Sequence, residues 1–233
     1  MGPTQFYLPI TAPFFIILAA LFVLVVVLIE INVLRYAYTR LGVSSGTAYL
    51  LLLASLFGSY INIPVWEFPE HLVRTTEEVV TYYGMHYVVP VSEQFPGTVV
   101  AVNVGGALIP TALSLYLLGK NHLWFPGIMT TAVVTAVVHW MAEPVPGVGI
   151  AVPTFVPPVV AALAALLFAT NRAAAVAYAG GSLGTLIGAD LLNLNAVRGL
   201  GAPFASIGGA GTFDGIFLTG IVAVLLASLS RRA

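Results

Sequence analysis

The chain carries two aspartates, Asp190 and Asp214, and each stands in glycine-rich apolar sequence. They read Gly188-Ala189-Asp190-Leu191-Leu192 and Gly211-Thr212-Phe213-Asp214-Gly215-Ile216. A carboxylate at bilayer depth costs a few kcal/mol or more unless it has a partner, water or a chemical task. Two carboxylates a few ångströms apart cannot both ionise easily. They share a proton, so that one acts as base on a water while the other donates to a carbonyl. The same groups also bind protons, sodium or other cations where broken helices expose carbonyls.

Four further residues are candidates for a polar pocket around the pair: Asn103, His139, Glu143 and Asn193. His139 and Glu143 are four apart, a spacing that places both on one face of a helix. Each has a plainer reading. Asn103 and His139 can serve as hydrogen-bonding glue between helices, and Glu143, before Pro144, as solvated surface. Asp214 can cap a helix N-terminus, where its charge is favourable; Asp190 stands at the wrong end of its helix for that. Glu30 is most simply a partner for Arg35 or an interfacial group. Cysteine is absent, which removes disulfides, thiolate metal sites and cysteine catalysis. No HExxH motif, P-loop or serine nucleophile elbow occurs. No cofactor and no resident metal are expected, although His139, Glu143 and the aspartates could together hold an oxygen-loving cation.

The elements that must position these residues follow from composition. Of 233 residues, 59% are hydrophobic and 7% charged, far below the roughly one-quarter charged of a soluble domain. The expected class is an all-α membrane protein, one transmembrane domain over residues 1–233. Spans of about 20 apolar residues fall near 8–32, 44–64, 98–118, 124–142, 152–170, 174–193 and 212–230, giving seven helices. With the N-terminus outside and the C-terminus inside, Arg35, Arg40, Lys120, Arg172, Arg231 and Arg232 lie inside, against Arg74 and Arg198 outside, as the positive-inside rule requires. The first run lacks a preceding positive residue, unlike a cleavable signal peptide, and is read as a retained helix. The lipid bilayer is the primary partner, in a prokaryotic plasma membrane. Near-neutral charge gives no reason to expect nucleic acid, and an oligomer is left open.

An outer insertion of about 65–97 separates the second and third helices. Its β-branched and aromatic run Val79-Val80-Thr81-Tyr82-Tyr83-Gly84-Met85-His86-Tyr87-Val88-Val89 predicts a hairpin. Apolar spacing from Pro69 predicts a short helix before it. Two stretches, 143–158 and 194–211, are too rich in proline and glycine to be regular helix. Such backbone survives near membrane depth only where buried in protein or lining a wet cavity. Three segments begin with paired glycines, at Gly105-Gly106, Gly180-Gly181 and Gly208-Gly209, without extending into repeated halves. Small residues of this kind often let helices pack closely. The topology places Asp190, Asp214, Asn103, His139, Glu143 and Asn193 together near the outer leaflet.

The local sequences resemble those of diaspartyl intramembrane proteases of the presenilin and signal peptide peptidase type. Phe213-Asp214 is similar to their aromatic-Asp motif and Gly188-Ala189-Asp190 to their Gly-x-Gly-Asp motif. The order along the chain is reversed, and their Pro-Ala-Leu motif has no counterpart. A wider resemblance, through Asn103-Val104-Gly105-Gly106-Ala107, Gly147 to Pro153, Gly188 to Asn193 and Gly208 to Gly215, is to a family of uncharacterised prokaryotic multi-pass membrane proteins, and implies no activity. The expected function is a membrane-embedded diaspartyl hydrolase, an intramembrane aspartyl protease with Asp190 and Asp214 catalytic and a transmembrane peptide as substrate. The alternative is a proton- or cation-coupled transporter with the same aspartates as ligands.

Overall fold

The structure, a computed structural model, describes residues 20, 21, 23, 41–69, 71–82, 85–95, 97–145, 149–197, 204–209 and 215–229. Asp214, most of the first expected span, Glu30, Arg35, Arg40, Arg198, Arg231 and Arg232 lie outside these residues. The described chain is mostly helical and also contains sheets, which corrects the all-α expectation.

Six of the expected spans correspond to described helices. Helix α1 is Ser45–Gly58, and its N-cap Ser44 accepts from the Thr47 N–H, as capping serines do. Then come α2 (Ile109–Lys120), α3 (Trp124–Met141), α4 (Val156–Phe168), α5 (Ala173–Thr185), the short α6 (Leu194–Val197) and α7 (Gly215–Leu229). Pro157 and Pro158 open α4 at positions where a missing N–H is tolerated. Among the described residues, α3 is the one helix long and apolar enough to cross a membrane. Two π-helical segments extend the set. Val104–Leu108 runs into α2, and Leu186–Leu191 continues α5.

Strand content is concentrated in the regions read as irregular or external. Strand β1 (Asn62–Phe68) pairs antiparallel with β4 (Thr98–Asn103), and β4 pairs parallel with β7 (Phe204–Ile207), in the order β1-β4-β7. The start of the third expected span is therefore a strand. Strands β2 (His71–Tyr82) and β3 (Met85–Phe95) form the expected hairpin. The helix expected from Pro69 is absent, because the β-branched run through Val73, Thr75, Thr76, Val79 and Val80 extends into β2. A small hairpin joins β5 (Glu143–Val145) to β6 (Gly149–Ala151).

Helix α5 is the centre of the helical packing. Alanines Ala175, Ala177 and Ala179, with Val176, are buried along it, and α2, α3, α4 and α7 surround it. Small residues allow the close approach. A β-carbon on Gly180 would stand 2.3 Å from Thr130 Cγ2, and one on Gly184 2.6 Å from Val134 Cβ. A larger residue at either position would push α3 away from α5.

Large apolar side chains point outward from the same helices. Phe125 is 72% exposed, Trp140 85% and Leu167 77%. Along α3, Trp124 and Phe125 mark one end and Trp140 the other, about 24 Å apart at 1.5 Å per residue. The two described cations that flank the helices meet at the first of these ends. Lys120 Nζ lies 3.5 Å from the Gly42 carbonyl, and Arg172 hydrogen-bonds Asn121. Asp190 lies at the opposite end of α5 and its extension.

Candidate functional site

Asp190 belongs to the π-helical segment that follows α5. Such widened turns recur at functional sites. Its side chain is half-buried, and Oδ2 accepts a hydrogen bond from the Gly208 N–H at 2.7 Å. Gly208 closes β7. Its φ of +90° and the +81° of Gly209 lie in the left-handed region, where a side chain is strained.

A second glycine pair receives the first. A β-carbon on Gly106 would lie 1.9 Å from the Gly208 carbonyl oxygen, and one on Gly208 would lie 2.6 Å from the Ala107 nitrogen. Gly105 is equally confined, since a β-carbon there would lie 2.0 Å from the Ser55 carbonyl oxygen. Backbone therefore crosses backbone where Gly105-Gly106 meets Gly208-Gly209. The third pair, Gly180-Gly181, serves helix packing. Beneath the crossing, Ala107, Leu186 and Ile216 form a small buried cluster with Val102 and Ile207 against it. Ile216 is the second residue of α7, so the start of α7 meets the approach to Asp190 here.

Asn103 sits behind the crossing and is 1% exposed. Its Oδ1 accepts from the Gly106 N–H at 2.8 Å, which caps the first π segment. Its Nδ2 donates to the Ser59 carbonyl and to Asn62 Oδ1. The amide is thus engaged in tying α1, β1 and β4 together. Asn193 caps the second π segment, with Nδ2 at 2.8 Å from the Gly188 carbonyl and 3.0 Å from that of Ala189. The same nitrogen is 3.3 Å from His139 Nδ1.

His139 and Glu143 do not share a helix face. Helix α3 ends at Met141 and Glu143 begins β5, with both side chains exposed. Pro144 disfavours helical backbone at the residue before it, and that ends the expected i, i+4 pair. Among the described residues no group of three or more His, Asp or Glu side chains could hold a metal ion. Asp214 lies outside the described residues, so its distance from Asp190 is not defined.

Two participants were not singled out in the sequence. Asn62 accepts from Asn103, and Ser206 Oγ lies 2.7 Å from both Asn62 Oδ1 and the Gly209 carbonyl oxygen. One hydroxyl proton serves one of these acceptors at a time. Asn62 had a signal, being a polar residue inside the span expected over 44–64. Ser206 had none beyond its place before the glycine pair.

A family model described as a protein of unknown function (DUF1614) matches residues 56–226, which include the whole glycine crossing and Asp190. No curated protein and no solved structure matches the chain.

Proposed function

We propose that this chain, which belongs to the DUF1614 family of proteins of unknown function, is a multi-pass membrane hydrolase whose catalytic pair is Asp190 and Asp214. The observation that carries this reading is the join between Asp190 and an edge strand. Strand β7 pairs with β4 on one side, and its other edge is unpaired among the described residues. It ends at Ile207, and the next residue, Gly208, donates its N–H to the Asp190 carboxylate. An extended peptide adding to that free edge by main-chain hydrogen bonds would pass beside Asp190.

Two further features support it. Asp214 precedes Ile216 by two positions in the sequence, and Ile216 packs with Leu186, four residues before Asp190. The outward Phe125, Trp140, Leu163 and Leu167 suit a lipid-facing surface, with aromatic residues near both ends of α3. The reaction is addition of water to a peptide carbonyl. The ionised carboxylate takes a proton from water, the protonated one gives its proton to the carbonyl oxygen, and collapse of the adduct breaks the C–N bond as the amine leaves protonated.

A second reading is favoured by a separate observation. Ser182 and Thr185 of α5, Thr130 and Thr131 of α3, and Ser114 of α2 have buried hydroxyl oxygens with no hydrogen-bond partner. Buried polar groups ordinarily find partners or ordered water. Were water to satisfy these hydroxyls, they would suit a proton or cation path, and therefore a transporter.

The test uses the full chain in liposomes with single-span peptides in heavy-oxygen water. Hydrolysis places one heavy oxygen in the new C-terminal carboxyl group, and Asp190→Asn or Asp214→Asn should abolish it. A proton or sodium flux without peptide cleavage, lost in the same variants, establishes transport instead.

A further inference from the structure

Strands β2 and β3 pair with each other and with no other strand among the described residues. An isolated two-stranded hairpin is marginally stable in water and gains from further strands or a packed layer. Its outer edges also carry a row of backbone N–H and C=O groups that can pair with another chain. Strand β2 has 12 residues, an edge about 40 Å long at 3.4 Å per residue.

Proline distinguishes this edge from the others. Pro64 lies in β1, Pro90 in β3 and Pro144 in β5, and each removes one backbone donor. Sheet prolines turn the donorless nitrogen to the free edge and so blunt it. Strands β6 and β7 have only three and four residues. Strand β2 contains no proline, so among the described residues it is the long edge left open. Its sequence is also self-complementary. Two identical antiparallel strands related by a two-fold axis set one residue opposite itself. Centred on Thr76, the positions oppose as Thr75 to Glu77, Arg74 to Glu78, Val73 to Val79 and Leu72 to Val80. Opposite charges meet and apolar positions meet, twice each, as stable cross-strand pairs do. Other centres lose this match. Arg74, Glu77 or Glu78 on the axis opposes its own charge, and Thr75 on the axis sets Leu72 against Glu78. The register shift between Leu72 and Thr75 puts a bulge at each end of the joined segment, where it adds twist.

We propose that β2 is an interface between two copies of this chain. The two hairpins join edge to edge about Thr76 into one four-stranded antiparallel sheet, in the order β3-β2-β2-β3. Each hairpin supplies the strands that the other lacks. The two Arg74–Glu78 pairs set the alignment, since charge pairing excludes wrong registers more than it adds affinity. Strand β2 is a different edge from the one proposed above to take a peptide, and the assignment does not depend on the chemistry of Asp190.

The chain has no cysteine, so an introduced one reports on its own position. The full chain in detergent, carrying Thr76→Cys, should form a disulfide-linked dimer on mild oxidation. Facing Cα atoms of an antiparallel pair lie about 4.5–5.5 Å apart, within disulfide reach. Thr81→Cys is the control, because its two copies would stand on the order of 30 Å apart along the ladder. Self-association of the charge variants is then measured by mass photometry. Arg74→Glu and Glu78→Arg each set like charges opposite one another and should each weaken the dimer roughly tenfold or more. Mixing the two variants restores both opposite-charge pairs, so the mixed dimer should return to within about threefold of wild type. Should a charge variant fail to fold, the two cysteine variants decide. A monomeric wild type, equal cross-linking at positions 76 and 81, or a mixture of folded charge variants no tighter than either alone overturns the assignment without touching the reading of Asp190.

Discussion

Asp190 holds Gly208: the carboxylate Oδ2 takes the glycine N–H at 2.7 Å across 18 residues of sequence. One bond thereby fastens the end of a strand to the end of a helix. An asparagine can keep an acceptor oxygen in the same place but cannot act as a base. Asp190→Asn is expected to unfold within about 1 kcal/mol of wild type and to have no hydrolytic activity. Asp190→Ala leaves the N–H without this acceptor and should cost about 1–3 kcal/mol. Denaturation in detergent beside the peptide-cleavage assay separates the two losses. If Asp190→Asn cleaves normally, Asp190 is only a fastener.

The crossing of the two glycine pairs predicts a steric penalty that depends on position. Gly106→Ala puts a methyl where the Gly208 carbonyl already stands, at 1.9 Å. Overpacking of this kind costs about 1–3 kcal/mol or more. The control is Gly46→Ala near the start of α1, where a β-carbon meets nothing within 4 Å. There the better helix propensity of alanine should stabilise by about 0.5–1 kcal/mol. Opposite shifts in the two unfolding midpoints are the expected result, and equal shifts would contradict the crossing.

Asn103 is predicted to matter through its amide rather than through charge. Its Nδ2 serves two acceptors and its Oδ1 one donor. Asn103→Ala leaves the Ser59 carbonyl and the Gly106 N–H short of partners inside the protein, at about 2–6 kcal/mol for two such groups. Asn103→Asp restores the acceptor for Gly106 but turns oxygen toward oxygen at Ser59 and Asn62. It should be no more stable than the alanine variant at neutral pH, as unfolding of the two side by side will show. A catalytic role for Asn103 would instead give a folded, inactive Asn103→Asp.

How much of this was legible depends on which interactions are local. The hydropathy windows found α1 to α5 and α7 because an apolar run declares itself within its own 20 residues. They misplaced the start of the third span, where Thr98–Asn103 is as apolar as a helix but pairs with β1 and β7. The pairing with β7 joins Val99 to Phe204 and that with β1 joins Asn62 to Asn103, and no 20-residue window contains either. The apolar spacing after Pro69 does not make a helix because the β-branched residues from Val73 to Val80 favour the extended strand His71–Tyr82. At the site, the sequence marked Asp190 and both glycine pairs as unusual. It could not show that Gly208 is the partner of Asp190, since that depends on β7 lying parallel to β4. His139 and Glu143 were paired by spacing alone, and Pro144 ended the helix between them.

The buried hydroxyls beneath Asp190 distinguish the two functional readings. Ser182 and Thr185 each bury an oxygen that no protein group satisfies. In a hydrolase whose chemistry ends at Asp190 these hydroxyls carry only a desolvation cost. Ser182→Ala with Thr185→Val keeps the shape nearly unchanged and removes both. The double variant is then expected to unfold at or above the wild-type midpoint, by up to about 2 kcal/mol, and to cleave peptide at the wild-type rate. In a transporter the same hydroxyls would contact water along the path, and removing them would dry it. Ion flux would fall while the Asp190 region stayed intact. Proton flux and peptide cleavage measured on the same liposomes therefore assign the row, and a double variant that loses cleavage while remaining folded would place the catalytic water deeper than the Asp190–Gly208 join.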